Sequence, residues 1–231
     1  MIEHNLNIIK NNVKSACELS GRNPEDVLIL AVTKKRSVEE INRAIELGIT
    51  DIGENRVQEL LEKYDNVSKN VRWHIIGHLQ TNKVKYIADK VCMIHSVDSV
   101  KLAEEIDRRC KKLGRVMDIL IEINSGEENK DGIVPADSFG IIKEISNLTN
   151  VKIKGLMTMA PLGADEKKLT EVFSALYKLS VDIKAKNIDN VSMDILSMGM
   201  TGDYEVTIEE GATMVRVGTG IFGERNYQQN L

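Results

Sequence analysis

Lys34 is the residue whose surroundings most suggest chemistry. It follows the apolar run Leu28-Ile29-Leu30-Ala31-Val32 and then Thr33, so a strand delivers an amine to the edge of a dry core. In such a place desolvation and neighbouring positive charge can lower an ammonium pKa, and a neutral lysine is a Schiff-base nucleophile. Lys34-Lys35-Arg36 would equally suit a solvated turn between a strand and a helix. A second centre lies near the C-terminus, where Ser197-Met198-Gly199-Met200-Thr201 and Gly218-Thr219-Gly220 follow apolar runs. Their glycines allow backbone N–H groups to approach an oxyanion, with the hydroxyls of Thr201 and Thr219 beside them, which makes a phosphate cup. Simple turns would use the same glycines, and neither a Walker loop nor a full GxGxxG is present. Arg216 stands inside Thr213-Met214-Val215-Arg216-Val217, where alternation can aim it inward, and a buried guanidinium needs a carboxylate or a ligand as partner. His74 and His78 are separated by Ile75-Ile76-Gly77, a strand and its turn, so they do not share a helical face as zinc-binding histidines do. No metal site is expected. Met157, Met159, Met198 and Met200 fall at the ends of apolar runs and could line a flat aromatic ligand, although core filling is the commoner role of methionine and of Trp73.

These residues need a scaffold that brings distant segments to one edge. Ile2, Leu6, Ile9, Val13 and Cys17 recur at three- and four-residue steps, which predicts an amphipathic helix to about Ser20, closed by Gly21 and Pro24. From Val27 a unit repeats: an apolar β-branched run, a polar or Gly-containing turn, a helix-period stretch. The runs are 27–32, 50–52, 71–76, 91–94, 116–123, 151–157, 191–196 and 213–217, with helical stretches among them at 38–47, 100–113, 135–148 and 166–186. Several runs are apolar almost throughout, as in parallel strands covered on both faces. Eight such units predict a (β/α)8 TIM barrel with an extra N-terminal helix, a doubly wound open sheet being the alternative. No linker or composition shift divides 1–231, which is expected to be one domain. In a barrel, Thr33-Lys34, Gly53-Glu54-Asn55, Gly77-His78-Leu79-Gln80, His95-Ser96, Asn124-Ser125-Gly126, Thr158-Met159 and the two glycine-rich segments share the rim at the carboxyl ends of the strands.

Composition narrows the partners. With 31 Lys+Arg against 35 Asp+Glu, the chain has a formal net charge of −4 and lacks the basic footprint that nucleic acid requires. No apolar run approaches the roughly 20 residues that span a bilayer, and no signal peptide opens the chain. Cys17, Cys92 and Cys110 lack metal or redox spacing. A reducing, cytoplasmic setting is expected, with the protein a monomer.

Ala31-Val32-Thr33-Lys34, Ile52 to Glu59, Trp73 to Lys83, His95-Ser96-Val97-Asp98, Gly155 to Met159, Ser197 to Met200 and Met214 to Thr219 resemble, in order, the pyridoxal phosphate homeostasis proteins, single-domain relatives of the alanine racemase barrel. The resemblance runs from near position 31 to about 223. It implies a barrel holding pyridoxal 5′-phosphate (PLP) as a Schiff base on Lys34, with Arg216 facing the pyridine nitrogen, Thr201, Gly218 and Thr219 on the phosphate, and Asn55 beside the ring. Thr33 and Thr201 replace usual serines, Arg36-Ser37 lacks a frequent proline, and Val38 stands where racemases carry a phosphate-binding tyrosine.

PLP enzymes commonly hold the ring nitrogen protonated with a carboxylate, whereas a guanidinium only donates, so an arginine there weakens the electron sink. Racemases also use a second acid/base, a tyrosine of a further domain, and no such domain is expected in these 231 residues. A non-catalytic carrier that buffers, stores or delivers PLP, with apo-forms of PLP-dependent enzymes as candidate recipients, is therefore favoured over a minimal amino-acid racemase or lyase using Lys34 and His78. A Schiff-base aldolase without PLP is a third, weaker alternative.

Overall fold

The computed structural model describes residues 1–126 and 131–224. Among them, eight parallel strands close into a barrel in chain order: β1 (Leu28–Val32), β2 (Asp51–Glu54), β3 (Arg72–Ile75), β4 (Met93–Val97), β5 (Met117–Glu122), β6 (Val151–Met157), β7 (Val191–Ser197) and β8 (Met214–Val217). The seam closes where β8 pairs with β1, from Leu28 opposite Met214 to Ala31 opposite Val217. Outside lie α1 (Ile2–Leu19), α2 (Val38–Glu46), α3 (Val57–Tyr64), α4 (Val100–Leu113), α5 (Pro135–Ile145), α6 (Glu166–Lys184), α7 (Tyr204–Glu209) and the single turn α8 (Thr219–Phe222), with a 3₁₀ stretch at Thr81–Tyr86 after β3. This is the expected barrel. Helix starts follow local chemistry: Ser37 and Glu40 form a capping box on α2, while Gly114 ends α4 in the left-handed conformation.

Helix α1 buries Leu6, Ile9, Val13, Ala16 and Cys17, the face its spacing predicts. It packs on α7 and α8, where Asn5 Nδ2 donates to Ile221 O at 3.0 Å and Asn12 Nδ2 to the Tyr204 hydroxyl at 3.0 Å. The extra helix thus braces the loops that follow β7 and β8.

Side chains alternate along each strand, so every strand has an outward and an inward set. Outward residues such as Ala31, Ile52, Trp73 and Ile75 join the helices in one large apolar cluster. Inside the barrel, Leu30, Ile76 and Met214 form one small apolar group, and Met93, Leu120 and Met157 another. Asp51, His74, His95, Glu122, Ser197 and Arg216 are also buried, and the parity of their strands turns them inward with those groups. This corrects the placement of His95-Ser96 and of Gly53-Glu54, which lie inside β4 and β2 rather than on the loops after them. A polar residue inside a strand, His95 facing the barrel interior or Glu54 paired with Lys63, reads in sequence like the end of that strand.

Candidate functional site

Lys34 sits two residues beyond the end of β1 on a turn that is pinned from several sides. Thr33 N donates to Gly53 O at 3.0 Å, and the Thr33 hydroxyl, 3.2 Å from the same carbonyl, donates to Glu54 Oε1 at 2.7 Å. The Lys63 ammonium, reaching in from α3, donates to Thr33 O, Glu54 Oε1 and Glu59 Oε1 at 2.8, 2.8 and 2.7 Å. Burial pushes the Glu54 carboxyl up despite this pairing. Lys35 adopts φ 58° with its N–H on Glu59, a left-handed residue that lets the chain reverse immediately after Lys34. Arg36 is buried rather than solvated; it donates to Phe222 O and Gly223 O and stacks 5.4 Å from the Phe222 ring centroid. It therefore ties the Lys34 turn to α8.

The next two strands round the barrel complete the arc. Arg216 is paired with Leu30 in the β8–β1 register and is 3% exposed. Its Nη1 donates to Ser197 O at 2.6 Å and to Ser197 Oγ at 2.8 Å, and its Nη2 donates to Thr158 O at 2.9 Å. Of the two partners weighed from sequence, a neighbouring carboxylate is not in hydrogen-bond contact among the described residues. Burial pulls the guanidinium down to about 10, with Glu122 and Asp203 opposing at longer range, so it stays protonated at neutral pH. These three bonds leave part of its donor fork without an acceptor among the described residues.

Beside it, Thr201 Oγ1 accepts from Gly220 N at 3.1 Å, which joins the loop after β7 to α8. Gly218 and Thr219 begin that turn with no side-chain cap. A Cβ on Gly220 would lie 3.0 Å from both Thr201 Cγ2 and Val217 Cγ1, so a larger residue fits there only if those side chains give way. Met198 differs from the other candidates: its side chain is fully buried in the large apolar cluster and its N–H is bonded to Met214 O. Met157 is likewise core, whereas Met159 and Met200 are each 40% exposed.

Asn55 follows β2, and its buried Oδ1, like Glu54 Oε2, has no hydrogen-bond partner among the described residues. A Cβ on Gly77 would lie 2.6 Å from Asn55 O, so glycine lets the β3 end close against Asn55. Lys34, Asn55, Thr201, Arg216, Gly218 and Thr219 thus occupy one contiguous arc, β7-β8-β1-β2, of the rim. Across it, burial and the charges of Asp131 and Asp98 push the Glu122 carboxyl up to about 7. His78 lies 3.6 Å from each of those aspartates and is half-exposed.

The arc fits PLP: unfilled donors on Arg216, an unpartnered acceptor on Asn55, a backbone cup at Thr201, Gly218 and Thr219, and an amine on a pinned turn. Two groups of contacts around the arc were not read from sequence. One joins Glu54 to Glu59 and Lys63 of α3 beneath Lys34; the other joins Asp51, His74, His95 and Ser197 behind Arg216, and its signal, a polar residue at an inward position of an apolar strand, was followed only for Arg216.

Residues 4–226 match the family model for the alanine racemase N-terminal domain. A pyridoxal phosphate homeostasis protein of Aquifex aeolicus (strain VF5) is 42% identical over 224 residues, covering 96% of this chain and 97% of that one. A crystal structure of an unknown protein from Bifidobacterium adolescentis superposes with a TM-score of 0.92 at 37% identity, covering 95% of this chain and 94% of that chain. PipY of Synechococcus elongatus PCC7942, solved with PLP bound, superposes with a TM-score of 0.84 at 32% identity, covering 96% and 100%. With these matches along nearly its whole length, the chain belongs to the pyridoxal phosphate homeostasis protein family, within the wider family of the alanine racemase N-terminal domain.

Proposed function

We propose that residues 1–231 act as one PLP-binding domain that buffers, stores or delivers the cofactor, holding it through the Lys34 amine. The observation that carries this reading is the state of Arg216: buried, protonated, held by carbonyls and a hydroxyl, and still offering donors at the rim. The phosphate goes to Thr201, Gly218 and Thr219, and Asn55 lies beside the ring. When bound, PLP supplies an aldehyde that takes up amines and a ring that draws electrons from the attached carbon. Arg216 can only donate to a ring nitrogen, so it leaves that nitrogen unprotonated and its pull on electrons weak. The residues therefore favour holding over turnover. No helix among the described residues is long and apolar enough to cross a membrane. A cytoplasmic monomer handing PLP to apo-enzymes, with no nucleic-acid partner, is the setting we assign.

One observation favours the alternative, an amino-acid racemase or lyase: Glu122, at about 7, has the proton affinity of a general acid/base near neutrality. The test is the visible spectrum of the purified protein with PLP, before and after borohydride. Lys34→Ala is expected to lose both the visible band and the borohydride label, and pyridoxal without phosphate is expected to bind far more weakly, each charge-assisted phosphate bond being worth about 1.5–3 kcal/mol. Label on another lysine, or equal affinity for the two vitamers, overturns the site. Robust turnover of one amino acid, abolished by Lys34→Ala, promotes the alternative.

A further inference from the structure

A line of buried polar side chains runs through the barrel interior behind Arg216. Ser197 Oγ, which accepts from Arg216, lies 3.0 Å from His95 Nδ1. His95 Nε2 lies 2.9 Å from His74 Nδ1, and His74 Nε2 lies 2.7 Å from Asp51 Oδ1. Four strands besides β8 contribute, β7, β4, β3 and β2, and each of the four side chains is at most 2% exposed. The line ends where Arg72 donates to Asp51 Oδ2 at 2.8 Å, beside a cavity of about 290 Å³ at the amino ends of the strands. Although Asp51, His74 and Cys92 have donor atoms within 4.8 Å of one another, the carboxylate is already occupied by Arg72 and His74, so this end is closed by hydrogen bonds rather than open to an ion.

The protons along this line have one consistent assignment. Burial would push Asp51 up, but hydrogen bonds from His74, Arg72 and Thr50 outweigh it and hold the carboxyl down to about 2. Burial keeps both imidazoles neutral, lowering His74 and driving His95 well below its ordinary range. An ionised carboxylate only accepts, so His74 carries its proton on Nε2 and accepts at Nδ1. His95 must then donate from Nε2 and accept at Nδ1, which commits the Ser197 hydroxyl proton to His95. Ser197 is left presenting a lone pair to Arg216. Every donor in the line points the same way, from the rim towards Asp51.

We propose that Ser197, His95, His74 and Asp51 are positioning residues for Arg216, a one-way donor chain that fixes the guanidinium edge offered to the cofactor ring and couples the rim to the opposite end of the barrel. The inference rests on the PLP reading of the rim. Without the chain the Ser197 hydroxyl is free to rotate its proton towards Arg216, and the guanidinium loses one of its three acceptors, leaving only the Ser197 and Thr158 carbonyls to hold its angle. Directed chains of this kind polarise one another, so a change at one end is felt along it.

The test uses the full chain labelled with ¹⁵N-histidine, read by long-range ¹H–¹⁵N correlation, together with PLP titration followed in the visible. Both imidazoles are expected to be neutral with the proton on Nε2 at neutral pH, and PLP is expected to shift the nitrogen resonances of His95 and His74. Ser197→Ala is expected to move the His74 as well as the His95 resonances, to displace the visible band of bound PLP, and to weaken binding about tenfold, the loss of one hydrogen bond to a charged group. A charged imidazole, or a proton on Nδ1 of either ring in the wild type, overturns the chain whatever the variants do. A Ser197→Ala protein that is less stable but keeps the wild-type band, affinity and His74 resonances shows mere packing and also overturns it. A wild type that develops no band with PLP overturns the cofactor reading itself, an outcome distinct from either of these.

Discussion

Of the buried cations near the rim, Lys63 under β1 and Arg216 in β8 have opposite surroundings. Lys63 is in direct contact with two carboxylates, Glu54 and Glu59, and a carbonyl, so its three donors are all used and its charge is compensated on the spot. Arg216 touches only neutral acceptors; its compensating charges, Glu122 and Asp203, act from beyond hydrogen-bond range, and Asp51 lies at the far end of two neutral imidazoles. A cation closed by its neighbours is a fastener. One that keeps unused donors is available to a ligand, and under the proposed function the contrast gives Lys63 the placement of Lys34 and Arg216 the recognition of the cofactor.

The contrast breaks most visibly at Lys63. Lys63→Met leaves the fully buried Glu54 without its partner, and urea unfolding at pH 7 is expected to show a loss of about 3–5 kcal/mol. A loss under about 1 kcal/mol would mean that Glu54 is already neutral there. Glu122 sharpens the other side, because its folded pKa of about 7 lies above the unfolded value of about 4.3. Between these the folded state holds a proton that the unfolded chain has released, so stability falls as pH rises through that window, by about 4 kcal/mol in all. Glu122→Gln is expected to abolish that slope, gaining on the wild type as pH goes from about 4 to 7; parallel profiles for the two proteins would contradict it.

Asp51 works in the reverse sense, its folded pKa of about 2 lying below the unfolded value of about 3.9. Its contribution, about 2.6 kcal/mol, is fully present above about pH 5 and is lost progressively as pH falls through about 2. Asp51→Asn is therefore expected to be less stable at pH 7 and to show a flatter acid limb. The smallest effect is expected at Arg72, whose side chain is 61% exposed although it donates to Asp51. Arg72→Ala is expected to cost less than about 1 kcal/mol, and that small cost to shrink further in high salt.

The repeat of apolar runs and helix-period stretches was legible in sequence because each strand and helix declares itself by its own period, and a parallel barrel covered on both faces makes its strands conspicuously apolar. Lys34 was legible for the same reason, as the first cation after such a run, and the glycine-rich segments after 197 and 217 because glycine spacing is local. The chain 51–74–95–197–216 was not. Its members are separated by 19 to 102 residues and none of them lies beside another in sequence. What brings them together is closure of the barrel, which turns alternate residues of separate strands into one interior. The same holds for Arg36: a cation between Lys35 and Ser37 looks solvated until α8 lies across it and supplies two carbonyls and a ring. Sequence by itself determined the elements, their order and the residues offered at the strand ends, since those depend on neighbours along the chain. Which polar groups are already satisfied and which keep a donor for a ligand was decided only by the tertiary structure, because hydrogen-bond partnership depends on distances that chain order does not set.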